Sequence, residues 1–248
     1  MNGSIAIQAQ ELTRMFGSFT AVDHITLDVH GGEIFGFLGA NGAGKTTAMR
    51  MFTGLLAPTS GQARVAGHDV YRESEAIKRA IGYMSQKFSL YEDLTVRENI
   101  RLYGGVYGLG KRGIRSRSEE MLAHLGMEAS ADLQVRSLPL GWRQKLSFSV
   151  ALLHRPQIVF LDEPTGGVDP VTRRQFWEMI YQTAEAGTTV LVTTHYMDEA
   201  EYCDRISIMV AGRIGAMGTP AELKRHYACD TMDEVFVRLV RPTAVEAV

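Results

Sequence analysis

A run of nine residues, Gly39-Ala40-Asn41-Gly42-Ala43-Gly44-Lys45-Thr46-Thr47, constrains this chain more than any other feature. It fits the pattern G-x-x-x-x-G-K-[ST] without a mismatch. The run follows Glu33–Leu38, which reads as a strand, and leads into Thr46–Leu56, which reads as a helix. That context is what a phosphate cradle needs. Gly39, Gly42 and Gly44 let the backbone turn tightly and bring its N–H groups against phosphate oxygens. The helix points the positive end of its dipole at the same anion. In this arrangement Lys45 reaches the β- and γ-phosphates of a nucleotide, and Thr46 ligates Mg²⁺.

The rest of the chain must supply a core for such a loop. Its 248 residues suit one large α/β domain or two small ones, and 45% hydrophobic residues suffice to fill the interior. A formal net charge of -2 argues against a protein held mainly by nucleic-acid phosphates. Only Cys203 and Cys229 occur, far apart, so a disulfide framework is not expected and a reducing compartment fits. The histidines do not cluster at metal-ligand spacing. Met1–Arg14 lacks a basic region followed by an apolar core, so no secretory signal is expected. No apolar stretch approaches the roughly 18–20 residues that cross a bilayer. Any membrane role must come through a partner.

Patterning divides the chain. The first third reads as strands and turns: Ile5–Leu12, His24–Val29, Glu33–Leu38, Gln62–Val65 and Ile81–Met84, with Gly31-Gly32 as a turn. From about 88 to 155 the pattern is helical, over Val96–Tyr107, Ile114–Leu125 and Trp142–His154. Alternation then resumes: strand Gln157–Leu161, helix Pro170–Ala186, strand Thr188–Thr193, short helix Met197–Cys203 and strand Ile206–Val210. Pro220–Tyr227 and Met232–Val240 form a short helical tail. Strands alternating with helices imply a mostly parallel sheet covered on both faces, with ligands at the carboxyl ends of the strands. The glycine-rich loop, Asp162-Glu163 and His195 all fall at such ends.

Ile158-Val159-Phe160-Leu161-Asp162-Glu163 is an apolar strand followed by two carboxylates. Asp162 is placed to hold a Mg²⁺ shell, partly through water, and Glu163 to polarise a water for attack on the γ-phosphate. With these motifs in this order, residues 5–220 resemble an ATP-binding-cassette (ABC) ATPase, the nucleotide-binding subunit of ABC transporters. The resemblance implies an α/β fold. Its core is a phosphate-loop NTPase of RecA-like, ABC type, over 1–87 and 156–220, with a small antiparallel β region. A helical subdomain is inserted at 88–155, and a short helical tail spans 221–248, all within one ABC ATPase domain. It further implies that Phe16 stacks on adenine and that Gly39, Asn41, Gly42, Ala43, Gly44, Lys45, Thr46 and Thr47 bind ATP. Gln86 would be the glutamine that contacts Mg²⁺ and links the core to the helical subdomain. Thr46, Gln86 and Asp162 would surround the metal. Glu163, Asp162 and His195 would be catalytic, with His195 a switch histidine near the γ-phosphate. Gly167 and Asp169, within Pro164–Asp169, would belong to the loop following the catalytic glutamate, called the D-loop.

Two departures stand out. The family signature usually reads Leu-Ser-Gly-Gly-Gln, whereas this chain has Leu138-Pro139-Leu140-Gly141-Trp142. In the family this loop caps the γ-phosphate bound on the opposite subunit. Pro139 has neither a hydroxyl nor an N–H, and Leu140 replaces a glycine that permits close backbone approach. Gly141 and the N-terminus of the following helix remain. Losing one preorganised donor typically costs about 10²–10³ in rate. Gly166, where the family has serine, is the milder change. The Leu-Pro-Leu-Gly variant and the stretch from Thr194 to Arg205 most resemble the ATPases of bacterial ABC-2-type exporters, including drug-efflux members, some with two cassettes in one polypeptide.

The resemblance implies ATP and Mg²⁺ as ligands, a second cassette as partner in a homodimer or tandem pair, and an ABC-2-type transmembrane permease subunit. No nucleic acid is expected, and the location implied is cytoplasmic, on the inner face of the membrane. Lys87–Asn99 would line a groove for a helix of the membrane subunit, with Phe88, Leu90, Tyr91 and Leu94 as contacts; local core packing is the alternative for each. A ribosome-associated ABC ATPase and a regulatory clamp that binds ATP with little hydrolysis are competing readings. Pro139 and Leu140 favour the clamp; Glu163 and His195 oppose it. Lys111, Arg112, Arg115 and Arg117 read as a solvated helical face, because Glu119 and Glu120 follow, with anionic lipid or RNA as the alternative.

Overall fold

A computed structural model describes residues 4–86 and 90–240. Two sheets organise it. Strands β1 (Ile5–Phe16), β2 (Phe19–His30), β4 (Ser60–Val65) and β5 (His68–Asp69) form an antiparallel sheet in the order β2-β1-β4-β5. Strands β3 (Ile34–Leu38), β6 (Ile81–Met84), β7 (Ile158–Asp162), β8 (Thr189–Thr194), β9 (Arg205–Val210) and β10 (Arg213–Gly218) form the second, in the order β10-β9-β3-β8-β7-β6. Five of these run parallel, and β10 pairs antiparallel at the edge.

The parallel strands are apolar on both faces, as a doubly covered sheet requires. Phe35, Phe37, Phe160 and Leu191 pack towards the antiparallel sheet, where they meet Ile7, Leu12, Ile25 and Val29. Helix α1 (Lys45–Phe52) contributes Met49 and Phe52 to this layer, so the helix after the glycine-rich loop lies between the sheets. On the opposite face Leu38, Val159, Leu161, Val190 and Val192 pack against Phe176, Trp177 and Ile180 of helix α6 (Pro170–Glu185). Gly36 in β3 has no room for a side chain. A Cβ there would lie 2.8 Å from Ile206 Cγ2 and 2.9 Å from Cys203 Sγ.

Between β6 and β7 the chain leaves the sheet. Helices α3 (Val96–Val106), α4 (Lys111–Leu125) and α5 (Leu140–Ala151) gather around their own apolar cluster, including Val96, Ile100, Leu122, Leu146 and Val150. A capping box fixes the start of α3: Thr95 accepts from the Glu98 amide, and the Glu98 side chain accepts from the Thr95 amide. Asn99, fully buried, bonds to Tyr91 N and O and to Thr95 O, which shapes the loop before α3. Helices α7 (Pro220–His226) and α8 (Met232–Val240) close the chain. Met232 and Val235 of α8 join the cluster that holds Met197 and Ala200. Among the described residues no helix is long and apolar enough to cross a membrane.

Several boundaries differ from the sequence expectation. Strands β1 and β2 run further, to Phe16 and from Phe19. Their pairing is interrupted by register shifts, and Glu11 and His24 adopt φ 50, which breaks the two-residue alternation that sequence reading relies on. Helix α1 stops at Phe52 rather than Leu56, before Gly54 at φ 69. Helix α5 begins at Leu140, two residues earlier than expected, and ends at Ala151. The turn after His195 is a 3₁₀ helix, Met197–Tyr202. Strands β5 and β10 and helix α2 (Ser74–Ala80) were not anticipated. Leu90 is buried within the helical cluster, so it is a packing residue and not a docking contact, whereas Tyr91 is exposed. Lys87 and Phe88 lie outside the described residues.

Candidate functional site

The glycine-rich loop is shaped by neighbours on other strands. Gly39 has φ 149, and a Cβ there would lie 2.4 Å from Met209 O. Gly44, the residue before α1, has φ 107, and its Cβ would lie 2.5 Å from Ala21 O. The carbonyls of Ala21 and Met209 therefore press the loop into a form only glycine fits. Gly42, at φ 81, has open space beside it. Gly212 N donates to Ala43 O at 3.0 Å, which ties the loop to the β9–β10 turn. Asn41 is exposed, and Thr46 and Thr47 are half-buried in the first turn of α1.

Lys45 folds back over this loop. Its Nζ donates to Gly39 O at 2.6 Å and to Ala40 O at 3.2 Å, and it lies 3.8 Å from Glu163 Oε1. Burial pulls this ammonium below the usual lysine range, against the attraction of Glu163 and Asp162.

Glu163 is where the other motifs meet. Gln86 Nε2 donates to Glu163 Oε2 at 2.8 Å. His195 Nδ1 lies 3.2 Å from the same oxygen, close enough for an ion pair but not aligned as a hydrogen bond. Glu163 has φ 50, a left-handed backbone costly for a residue with a Cβ. Strand β8 holds it there: the Glu163 amide donates to both the carbonyl and the hydroxyl of Thr193, each at 3.1 Å.

Asp162 ends β7 and is almost fully buried. Thr193 Oγ1 donates to its Oδ1 at 2.7 Å, and the Thr46 hydroxyl also bonds to it. Burial nevertheless pushes the Asp162 carboxyl above the usual carboxylate range. The Thr193 bond opposes the shift, and the Glu163 charge adds to it. Thr193 thus braces both acidic residues.

The divergent signature segment lies beside the D-loop of the same chain. Leu138 is buried, and Pro139 caps α5 without a side-chain hydrogen bond. Leu140 and Trp142 are partly exposed. A Cβ on Gly141 would meet Thr172 Cγ2 at 2.6 Å, so α5 and α6 start in close contact. Asp169 caps α6 by accepting from the amides of Val171 and Thr172, each at 3.0 Å. The Thr172 hydroxyl, at 2.6 Å, and these amides hold Asp169 below the usual carboxylate range. Pro139, Leu140, Gly141 and Trp142 share a cleft of about 340 Å³ with Gly167 and Asp169. A second cleft of about 270 Å³ joins Gln86, Glu163 and Leu140. Gln144 Nε2 donates to Gly166 O at 3.1 Å across it.

Phe16 stands at the tip of the β1–β2 hairpin opposite Phe19, half-exposed, with the Arg14 guanidinium 4.6 Å from its ring centroid. The strand leaving this tip carries Ala21, whose carbonyl abuts Gly44, so the ring belongs to the same end of the molecule as the loop. Sequence reading missed Thr193, Ala21 and Met209 as parts of the site. Ala21 and Met209 act through backbone carbonyls and leave no signature in sequence.

The donor chemistry fits a nucleotide and Mg²⁺. The loop is held open for an anion by glycines whose Cβ positions are taken by carbonyls, and Lys45 is the cation above it. Near it, Thr46 and Asp162 offer a hydroxyl and a carboxylate already in contact. Among the described residues no group of three or more His, Cys, Asp or Glu could hold a metal. Mg²⁺ does not require one, because it takes one or two protein oxygens together with phosphate and water.

Comparison with known proteins agrees with this geometry. The model of the ABC transporter family matches residues 22–166. The chain is 49% identical over 243 residues to "Probable multidrug ABC transporter ATP-binding protein YbhF" of Escherichia coli K12, covering 96% of this chain and 42% of that protein. It is 40% identical over 231 residues to "Daunorubicin resistance ATP-binding protein DrrA3" of Streptomyces coeruleorubidus, covering 93% of this chain and 73% of the relative. A solved structure described as the ATP binding subunit of an ABC transporter superposes with a TM-score of 0.85 at 27% identity, covering 94% of this chain and 99% of that one. The chain spans only 42% of the YbhF length. By family match, relatedness and fold, this chain belongs to the ABC transporter family.

Proposed function

We propose that the chain is the ATP-hydrolysing cassette of a bacterial ABC-2-type exporter, working with a second cassette and a separate membrane permease. The observation that carries this reading is the convergence of Lys45, Gln86 and His195 on the carboxylate of Glu163, beside the glycine-rich loop. The names of YbhF and DrrA3 support a drug-exporting system. In this reading the permease supplies the transport path, and the cassette works at the inner face of the membrane.

The residues divide the work. Amides of the loop and the N-terminus of α1 bind the phosphates, and Phe16 offers its ring to the adenine. Lys45 exchanges the carbonyls of Gly39 and Ala40 for phosphate oxygens. Thr46 and Asp162 would hold Mg²⁺, with Gln86 turning from Glu163 towards it; the bound ion neutralises charge on the phosphates. Once Gln86 and Lys45 engage the nucleotide, Glu163 is free to accept a proton from water, and His195 steadies the γ-phosphate. The partner's signature segment, Leu138–Trp142, with Gly167 and Asp169 beside it, closes the site from the other side. Steady-state Mg-ATPase activity against protein concentration tests this, with Glu163→Gln as control. The expected result is a rate per mole that rises with concentration and vanishes in Glu163→Gln. A concentration-independent rate that survives in Glu163→Gln would overturn it.

A second reading has its own observation. Pro139 brings no side-chain donor to the start of α5, and Leu140 lines both clefts. Those features suit a cassette that binds ATP and turns it over slowly, serving as a clamp for a more active partner. ATP binding with near-background turnover at every concentration would select it.

A further inference from the structure

Beyond the groups facing the nucleotide lies a buried polar junction that the mechanism above does not use. Glu199, in the 3₁₀ turn that follows His195, is fully buried. Its Oε1 accepts the Thr165 hydroxyl at 2.6 Å, and Thr165, equally buried, lies two residues beyond Glu163. From α6, Arg173 brings its Nε to 3.6 Å from the same oxygen and its Nη1 to 3.6 Å from Asp198 Oδ2. The Arg173 guanidinium also lies 4.4 Å from the ring centroid of Tyr196, and that ring tilts against His195 at 4.2 Å. One carboxylate thus joins three segments: the loop from Glu163 to Asp169, the turn that follows His195, and the helix that begins at the end of that loop.

The junction is only partly satisfied. Glu199 Oε2 and Arg173 Nε are both buried without a hydrogen-bond partner, although the two groups lie at ion-pair distance. A buried pair of this kind adds little to stability compared with apolar packing, and Met197, Ala200 and Cys203 of the same turn already pack into the apolar core. The short bond to Thr165 is closed and the contact to Arg173 is slightly open. A small displacement of the loop would therefore be passed to the turn through the closed bond and taken up at the open one.

We propose that Glu199 is a positioning residue for ATP turnover. Through Thr165 it holds the loop after Glu163. Through its own turn it sets the orientation of His195. Movement of the D-loop against a second cassette and placement of His195 are then one event. This rests on reading the site as an ATPase centre.

Thr165→Val tests it by removing only the hydroxyl, and Thr165→Ser keeps it. In Thr165→Val, amide hydrogen exchange over 194–199 should rise about tenfold, as expected for loss of one bond to a buried charged group, while exchange over 39–47 stays at the parent level. In the same variant kcat should fall about tenfold or more, with KM for ATP within about twofold. Thr165→Ser should restore both. Exchange over 194–199 equal to the parent's, an equal rise in every segment, or an unchanged kcat would each overturn the proposal. Absence of Glu163-dependent turnover in the parent would instead count against the ATPase reading, and the exchange measurement would still decide whether Thr165 positions the His195 turn.

Discussion

The Thr193 hydroxyl donates to Asp162 at 2.7 Å. The same oxygen receives the Glu163 amide, so a neutral side chain on β8 braces both acidic residues at the end of β7. Thr193→Val keeps the shape and removes the bond. It leaves a buried carboxylate short of a donor, which costs about 2 kcal/mol. That should lower the melting temperature by about 4–8 °C for a chain of this size. ATPase activity should fall with it. Scanning calorimetry and turnover on Thr193→Val and Thr193→Ser check this, with Ser close to the parent.

Asp162 and Lys45 carry opposite burdens in pH. The Asp162 carboxyl is raised above its unfolded value, so its contribution to stability is complete below about pH 4 and is lost as pH rises through the folded value. The Lys45 ammonium is lowered, so its contribution is complete above its unfolded value and is lost as pH falls through the folded one. In their ionised forms both weigh against the nucleotide-free fold, because burial disfavours each charge. Asp162→Asn should therefore melt higher than the parent at pH 7.5, with the gap closing towards pH 4. Mg-ATP should stabilise the parent but give Asp162→Asn little Mg²⁺-dependent gain. Thermal denaturation with and without Mg-ATP tests both parts; a lower melting point for Asp162→Asn would refute the first.

Gly141 and Thr172 form a complementary pair. Gly141→Ala should destabilise the protein by about 1–3 kcal/mol, because the added methyl must displace Thr172 Cγ2. Thr172→Ser removes that methyl and keeps the hydroxyl bound to Asp169. The double variant should therefore recover most of the loss. Urea denaturation of the two single variants and the double closes the cycle.

Restoring the family pattern at the signature is informative in the other direction. In Pro139→Ser with Leu140→Gly, the serine can cap α5, a gain of about 1 kcal/mol. The glycine takes back about as much in the first turn. Stability should be nearly unchanged, and ATP hydrolysis at least as fast as in the parent. A clear slowdown would show that Leu138–Trp142 is itself adapted for turnover.

Much of this site was legible because its motifs are local. The glycine spacing before Lys45 and the apolar run into Asp162-Glu163 are continuous in sequence, and both lie where a parallel sheet puts strand ends. What stayed hidden depends on contacts across the sheet. Thr193 reads as one more β-branched strand residue, and only its register opposite Asp162 reveals what it does. The β1–β2 hairpin was underestimated because bulges at Glu11 and His24 break alternation. Strand β10, Arg-Ile-Gly-Ala-Met-Gly, has two glycines and few β-formers, so it is fixed by pairing with β9 rather than by propensity. For Leu90 the sequence left docking and core packing open, and its burial in the helical cluster selects packing.

Helix α8 packs on the 3₁₀ turn that carries Glu199, sharing its apolar cluster with Met197 and Ala200. The floor under the His195 segment is thus built from a stretch that carries no motif at all. A substitution confined to the buried face of that helix, at Met232 or Val235, would disturb the packing beneath that turn. What sits under that turn is therefore as much a part of its setting as the strands in front of it.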